Sequence, residues 1–151
     1  MKVIFLDFDG PIIPAMSHRL VKRKEMEKAW PPCVAALNRI TDATGAKIIV
    51  SSTWRADGLN KNRKRLKAWG VKAECIGLTP RLDVGSDDGL YIRRGREIKK
   101  FLDMHDGEPI ESFVILDDDA DMDELMPYLI QTPFEVGLTE SDADKAIEML
   151  K

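Results

Sequence analysis

Cysteine is scarce: Cys33 and Cys75 are the only two in 151 residues. Two thiols make neither a disulfide framework nor a metal quartet. They read as buried thiols of a protein kept in a reducing compartment. Long apolar runs are missing as well. The longest span about four to six residues, against the roughly 20 that a membrane helix requires. Aromatic residues make up only 7% of the chain, and no internal repeat, linker or low-complexity tract interrupts it. With 44% hydrophobic and 32% charged residues, a disordered or collagen-like chain is excluded too. Met1-Lys2 leads straight into Val3-Ile4-Phe5-Leu6, which Asp7 ends, too short for a signal-peptide core. The expectation is one domain over residues 1–151, cytoplasmic and without a membrane anchor.

The net charge of −3 conceals a segregation. From Arg19 to Lys72 there are fourteen Lys/Arg against four Asp/Glu, a net of +10; from Asp103 to Lys151 there are two against fifteen, a net of −13. Such a basic stretch suits an anionic partner, although solvated helix faces would also account for it.

Two periodicities alternate along the chain. Val3 to Leu6 is a short apolar run before a turn, as in a buried parallel strand. Residues 10 to 30 look irregular and form a flap. Pro31-Pro32 suits the first turn of a helix that keeps Val34, Leu37 and Ile40 on one side and closes at Gly45. Lys47 to Val50 reads as a second strand, Leu59 to Trp69 as a second helix ended by Gly70, and Val71 to Ile76 as a third strand. Residues 77 to 92 read as a loop. A helix is predicted over Arg94 to Met104, a strand over Phe113 to Leu116 and a short fifth strand over Tyr128 to Ile130. Thr139 and Asp142 have the spacing of a capping-box variant that opens a last helix. The fold class is therefore α/β with a mostly parallel sheet of about five strands.

Ligands of open α/β sheets bind beyond the carboxyl ends of the strands. Those ends carry Asp7, Asp9 and Gly10; then Ser51, Ser52 and Thr53; then Asp117, Asp118, Asp119 and Asp121. Strand alternation puts Asp7 and Asp9 on one side. Acids gathered in one cleft repel each other unless a cation joins them or some stay protonated, and a hard, oxygen-ligated ion such as magnesium (Mg2+) is the simplest answer.

In this order the motifs resemble those of the haloacid dehalogenase (HAD) superfamily. Asp7-Phe8-Asp9-Gly10 resembles its first motif and Val50-Ser51 its second. Arg94-Gly95-Arg96-Glu97-Ile98 resembles its third, and Leu116-Asp117-Asp118-Asp119-Ala120-Asp121 its fourth. The resemblance implies a three-layer Rossmann-like HAD fold. It implies Asp7 as nucleophile forming an aspartyl-phosphate and Asp9 as general acid and then base. Ser51 and Arg94 would serve as phosphoryl contacts, with Gly10, Ser52, Arg55 and Arg93 as further phosphate or substrate contacts. Magnesium would be held by Asp7, the Asp9 main-chain carbonyl and Asp118, supported by Asp117 and Asp121. Two positions depart from the family's pattern: Pro11 stands where Thr or Val is usual, and Arg94 where Lys is usual. Arg93, Arg96 and Lys99 lie close enough to Arg94 to compete for its role.

About 40 residues separate the first two motifs, leaving no room for a large cap domain. An uncapped site resembles those of relatives that act on large substrates or whose partner subunit covers the site, and Ser51-Ser52-Thr53-Trp54-Arg55 is similar to HAD domains of RNA-repair proteins. The expected activity is thus a magnesium-dependent phosphomonoesterase for a nucleic-acid end or a nucleotide. The alternatives are a small-metabolite phosphatase and a non-catalytic binding module. Lys22, Arg23, Lys24 and Lys28 in the flap, with Lys61, Arg63, Lys64, Arg65 and Lys67, would contact a phosphate backbone independently of sequence. Trp54 reads either as a core residue under the second helix or as a platform for a base.

Overall fold

The computed structural model describes residues 1–20, 29–82 and 93–151. The basic flap residues Lys22, Arg23, Lys24 and Lys28 lie outside them. Five parallel strands form one sheet in the order β3-β2-β1-β4-β5. The strands are β1 (Lys2–Leu6), β2 (Lys47–Val50), β3 (Cys75–Leu78), β4 (Ser112–Asp117) and β5 (Leu129–Gln131). The helices are α1 (Ala15–Leu20), α2 (Pro31–Thr44), α3 (Leu59–Ala68), α4 (Arg94–Met104) and α5 (Glu140–Leu150). Single 3-10 turns cover Thr53–Asp57 and Asp123–Tyr128.

Alternation along β1 sorts the core into two halves. Ile4 and Leu6 pack with Val34, Leu37 and Ile40 of α2, Leu66 of α3 and Ala143, Ala146 and Leu150 of α5. Val3 and Phe5 face the other way, onto Ile98 of α4 with Met122 and Leu125. Helices on both faces of a parallel sheet give the three-layer Rossmann-like arrangement of a HAD fold. Among the described residues, no cap domain intervenes between the strands that carry the motifs. Among the described residues, no helix is long and apolar enough to cross a membrane.

Most elements follow local rules. Pro31 and Pro32 open α2, Gly45 closes it, and both hydrogen bonds of the capping box between Thr139 and Asp142 are present at the start of α5. Three readings need correction. The stretch from 10 to 30 contains α1. The third strand lies at Cys75–Leu78, because Val71 donates its N–H to Leu66 and finishes the helix turn instead. Tyr128 ends a 3-10 turn, so β5 starts at Leu129.

The chain runs outward from β1 to β2 and β3, then crosses to β4 and β5. The strand ends on either side of β1 therefore frame the crevice where such sheets bind ligands. Their backbones are in register there: Asp7 N–H donates to Leu116 and Ser51 N–H to Leu6, both at 3.0 Å.

Candidate active site

Asp7 leaves the end of β1 and Asp117 the end of β4, so both carboxylates come from the buried centre of the sheet. Asp118 follows at the edge of the cleft. One carboxylate oxygen of each of Asp7, Asp117 and Asp118 lies within 4.8 Å of the others. The turn after β1 explains how Asp118 gets so near. Gly10 has φ +107°, and a Cβ there would stand 2.6 Å from Cγ and Oδ1 of Asp118. Gly10 is required both for its backbone conformation and for the space it leaves.

Arg94 supplies the countercharge. Its Nη1 is 3.4 Å from Asp7 Oδ1 and 3.5 Å from Asp117 Oδ2, and it also donates to the Ser51 carbonyl. The first turn of α4 holds it in place. Arg94 N–H donates to Asp121 Oδ2 and Gly95 N–H to the Asp121 carbonyl, both at 3.0 Å. Gly95 permits this, since a Cβ there would meet the Met122 carbonyl oxygen at 2.4 Å. The rival basic residues are elsewhere: Arg93 pairs with Asp123, Lys99 pairs with Glu124 at 3.0 Å, and Arg96 is exposed. Of the four, Arg94 is the one the fold brings to Asp7.

One guanidinium does not balance three acids. Burial pushes the Asp7 carboxyl up to about 6; Arg94 opposes the rise and Asp118 adds to it. Burial, and then the charge of Asp7, push Asp117 up to about 9. The carboxyl cluster of the metal-free protein thus retains protons that ordinary aspartates have lost.

The loop after β2 has two layers. Ser51 is fully buried, and among the described residues its hydroxyl has no hydrogen-bond partner. Ser52 is committed to the fold: its Oγ accepts the Trp54 N–H at 3.2 Å and caps the 3-10 turn. Arg55, expected to touch substrate, is turned inward. Its Nη1 donates to the Ser51 and Ser52 carbonyls at 2.9 Å each, and its Nη2 lies 2.6 Å from Glu97 Oε2, with both side chains 5% exposed. Glu97 also accepts the Leu82 N–H at 3.0 Å. Arg55 is a strut joining the β2 loop to α4, and Arg93, paired at the surface with Asp123, stands apart from the carboxylates as well.

Asp9 is placed by a residue whose part in the site the motif pattern does not announce. Trp54 Nε1 donates to Asp9 Oδ2 at 2.9 Å. Trp54 packs against the core, edge-on to Phe8 and Trp69 with ring centroids 5.9 and 5.7 Å away. Its position in Ser-Ser-Thr-Trp-Arg put it near the site, but 45 residues separate it from Asp9, and only the folded sheet brings the two together.

Residues 3–143 match the family described as the HAD domain in Swiss Army Knife RNA repair proteins. No curated protein and no solved structure matches the chain. With acids on two adjacent parallel strand ends, a serine on the third and a basic residue opening the helix beyond, the chain belongs to the HAD domains of Swiss Army Knife RNA repair proteins, among the HAD-type hydrolases.

Proposed function

We propose that the protein is a magnesium-dependent phosphomonoesterase that works through an aspartyl-phosphate and removes phosphate from a polynucleotide end. The observation that carries the reading is the gathering of a buried, strand-end carboxylate, Asp7, with Arg94, Asp117 and Asp118. The donor set suits a hard divalent ion: among the described residues the three acids exceed the one guanidinium beside them in charge, and Asp117 Oδ2 is buried without a hydrogen bond. Asp7 and Asp118 would hold magnesium, with the Asp9 carbonyl and with Asp117 in support. Bound there, the ion would offset the repulsion between an anionic phosphate and an anionic nucleophile.

The chain's own groups account for the two transfers. An Asp7 oxygen attacks phosphorus, the bond from phosphorus to the ester oxygen breaks with its electron pair on that oxygen, and Asp9 gives it a proton. The Asp9 carboxylate then takes a proton from water as the water oxygen attacks the phosphorus of the aspartyl-phosphate. The bond to Asp7 breaks, the carboxylate is restored and inorganic phosphate leaves. Arg94 balances phosphoryl charge, and the Ser51 hydroxyl, which has no partner among the described residues, donates to a phosphoryl oxygen.

The family's description, the absence of a cap and the basic α3 support a polynucleotide substrate. A screen of 3′- and 5′-phosphorylated oligonucleotides, nucleotides and sugar phosphates, with magnesium and with a chelator, tests it. Release from an oligonucleotide end above that from any sugar phosphate, abolished by the chelator, is the expected result. Faster turnover of a sugar phosphate would replace the polynucleotide with a small metabolite.

A further inference from the structure

The hydrogen bond from Trp54 to Asp9 divides the two oxygens of that carboxyl group. Oδ2 accepts the indole N–H at 2.9 Å. An oxygen that accepts a hydrogen bond in this way is poorly placed to carry a proton of its own, which leaves Oδ1 for that task. The indole can do this because several neighbours hold it, although it is only partly buried. Phe8, the residue between the two catalytic acids, and Trp69 meet it edge-on. The Arg65 guanidinium lies over its ring at 4.5 Å, and Arg65 is fixed in turn by Asp57 Oδ2 and Asn62 Oδ1, each at 2.9 Å. Asn62 Nδ2 also donates to the Trp54 carbonyl at 3.0 Å. A core tryptophan needs no partner at its nitrogen so close to a catalytic carboxylate, and a platform for a base would present its face, which Arg65 covers.

We propose that Trp54 is a positioning residue that fixes the Asp9 carboxyl through Oδ2 so that Oδ1 faces the leaving group and carries the proton. The inference rests on the phosphatase reading above, since a proton donor matters only if an ester oxygen departs. In the first step, the proton on Oδ1 passes to that oxygen as the phosphorus–oxygen bond breaks. In the second, Oδ1 takes a proton from water.

Removal of the indole N–H should therefore act through the leaving group. Trp54→Phe keeps a ring for Phe8, Trp69 and Arg65 to pack on. Its kcat/KM should fall about tenfold or more on an alkyl or nucleoside phosphate, a fraction of the 10²–10⁴ that a general acid supplies. On 2,4-dinitrophenyl phosphate, whose leaving group departs without a proton, the fall should be at least tenfold smaller. In an Asp9→Asn background, Trp54→Phe should cost about twofold or less further on the alkyl ester, because two residues acting as one unit are not additive. A second measurement does not depend on the variant folding well. The chain has three tryptophans, and on Asp9→Ala the indole N–H resonance of Trp54 should move upfield and exchange faster with solvent. Wild-type protein that hydrolyses neither ester with magnesium overturns the phosphatase reading and this inference together. Active wild type with an equal loss on both esters, or an unmoved indole resonance in Asp9→Ala, overturns the inference and leaves the phosphatase reading standing.

Discussion

Arg55 decides between two accounts of the loop after β2. The sequence places it four residues after Ser51, where a guanidinium could grip phosphate; the structure buries it against Glu97. The perturbation is Arg55→Met, which keeps the aliphatic bulk and removes the charge. Glu97 would then be a buried carboxylate whose remaining hydrogen-bond donor, among the described residues, is the Leu82 N–H. Losing one partner of a buried pair costs about 3–5 kcal/mol, since the remaining charge is stranded. The Ser51 and Ser52 carbonyls lose donors at the same time. Against a total stability of about 5–15 kcal/mol the loss is large, and at about 2–4 °C per kcal/mol for a domain of this size Tm should fall by about 10 °C.

Activity alone does not separate the accounts, because a displaced Ser51 would lower kcat even if Arg55 never met substrate. Stability does. The urea midpoint should drop without a change in m, and Glu97→Leu, at a buried residue, should drop it comparably. The double variant Arg55→Met/Glu97→Leu should lose less than the sum of the two, with a coupling of about 2 kcal/mol or more. It will not be neutral, since the Leu82 N–H loses its acceptor at roughly 1 kcal/mol and each serine carbonyl loses one of two donors, Ser51 keeping Arg94 and Ser52 the backbone N–H of residue 55. An unchanged midpoint for Arg55→Met together with a raised KM would refute the strut and restore Arg55 to the substrate.

Other outcomes follow from the same geometry. Asp7→Asn should lose more than about a thousandfold in kcat, as nucleophile removals do, while the metal-free fold survives, checked by turnover and thermal melts. Gly10→Ala forces a Cβ onto Asp118 at positive φ; it should cost about 1–3 kcal/mol and weaken magnesium binding, read by urea unfolding and by titration of the metal. Folded-state values near 6 for Asp7 and 9 for Asp117, above the ordinary 3.8, mean that the native state binds the extra protons. Stability of the metal-free protein should therefore be lost as pH rises from about 4 through 6 and on towards 9. Magnesium selects the deprotonated acids, so the Tm gain it gives should grow over that interval, and a gain independent of pH would refute the cluster as its site. Lys61→Glu/Lys64→Glu should weaken oligonucleotide turnover and flatten its salt dependence by about one slope unit for each phosphate no longer gripped, while a small aryl phosphate is little affected.

The parts of the molecule legible in sequence are those set by neighbours in the chain. Pro31, Gly45 and the Thr139–Asp142 box mark helix ends through local hydrogen bonding, and apolar runs before Asp7 and Asp117 mark the strands that carry them. The third strand lies later than its apolar pattern implies because Val71 and Ile76 are equally apolar, and the choice between them is made by pairing with Ile48 to Val50, which no local rule contains. Ser51, Asp7 and Asp118 are legible as strand-end chemistry. Arg55 and Trp54 are not assignable in the same way. The inward turn of Arg55 depends on Glu97 from α4, and the aim of the Trp54 nitrogen depends on Phe8, Trp69 and Arg65 closing around it.

The charge segregation changes meaning once partners are known. Of the basic residues between Arg19 and Lys72, Arg39 pairs with Glu140 and Asp144, Lys47 with Glu74, Lys72 with Asp42, and Arg55 with Glu97. Arg63 Nε donates to the Cys75 carbonyl, and Arg65 covers Trp54. Part of the basic charge therefore goes into tying α2 to α5 and α3 to the sheet, with the acidic C-terminal part supplying the partners of Arg39. Among the described residues, Lys61, Lys64 and Lys67 are exposed on α3 without an ion pair, and they are the positions from which a polynucleotide backbone can be held. Arg65→Glu is for that reason a poor test of nucleic-acid binding: it removes the guanidinium over Trp54 and should slow even a small ester that needs a proton. Lys64→Glu should not. Paired kcat/KM measurements on an alkyl phosphate and an oligonucleotide separate the two residues: loss on both substrates for Arg65→Glu, and on the oligonucleotide alone for Lys64→Glu. The same profile for both variants would mean that Arg65 grips the polynucleotide with Lys64 rather than bracing the indole.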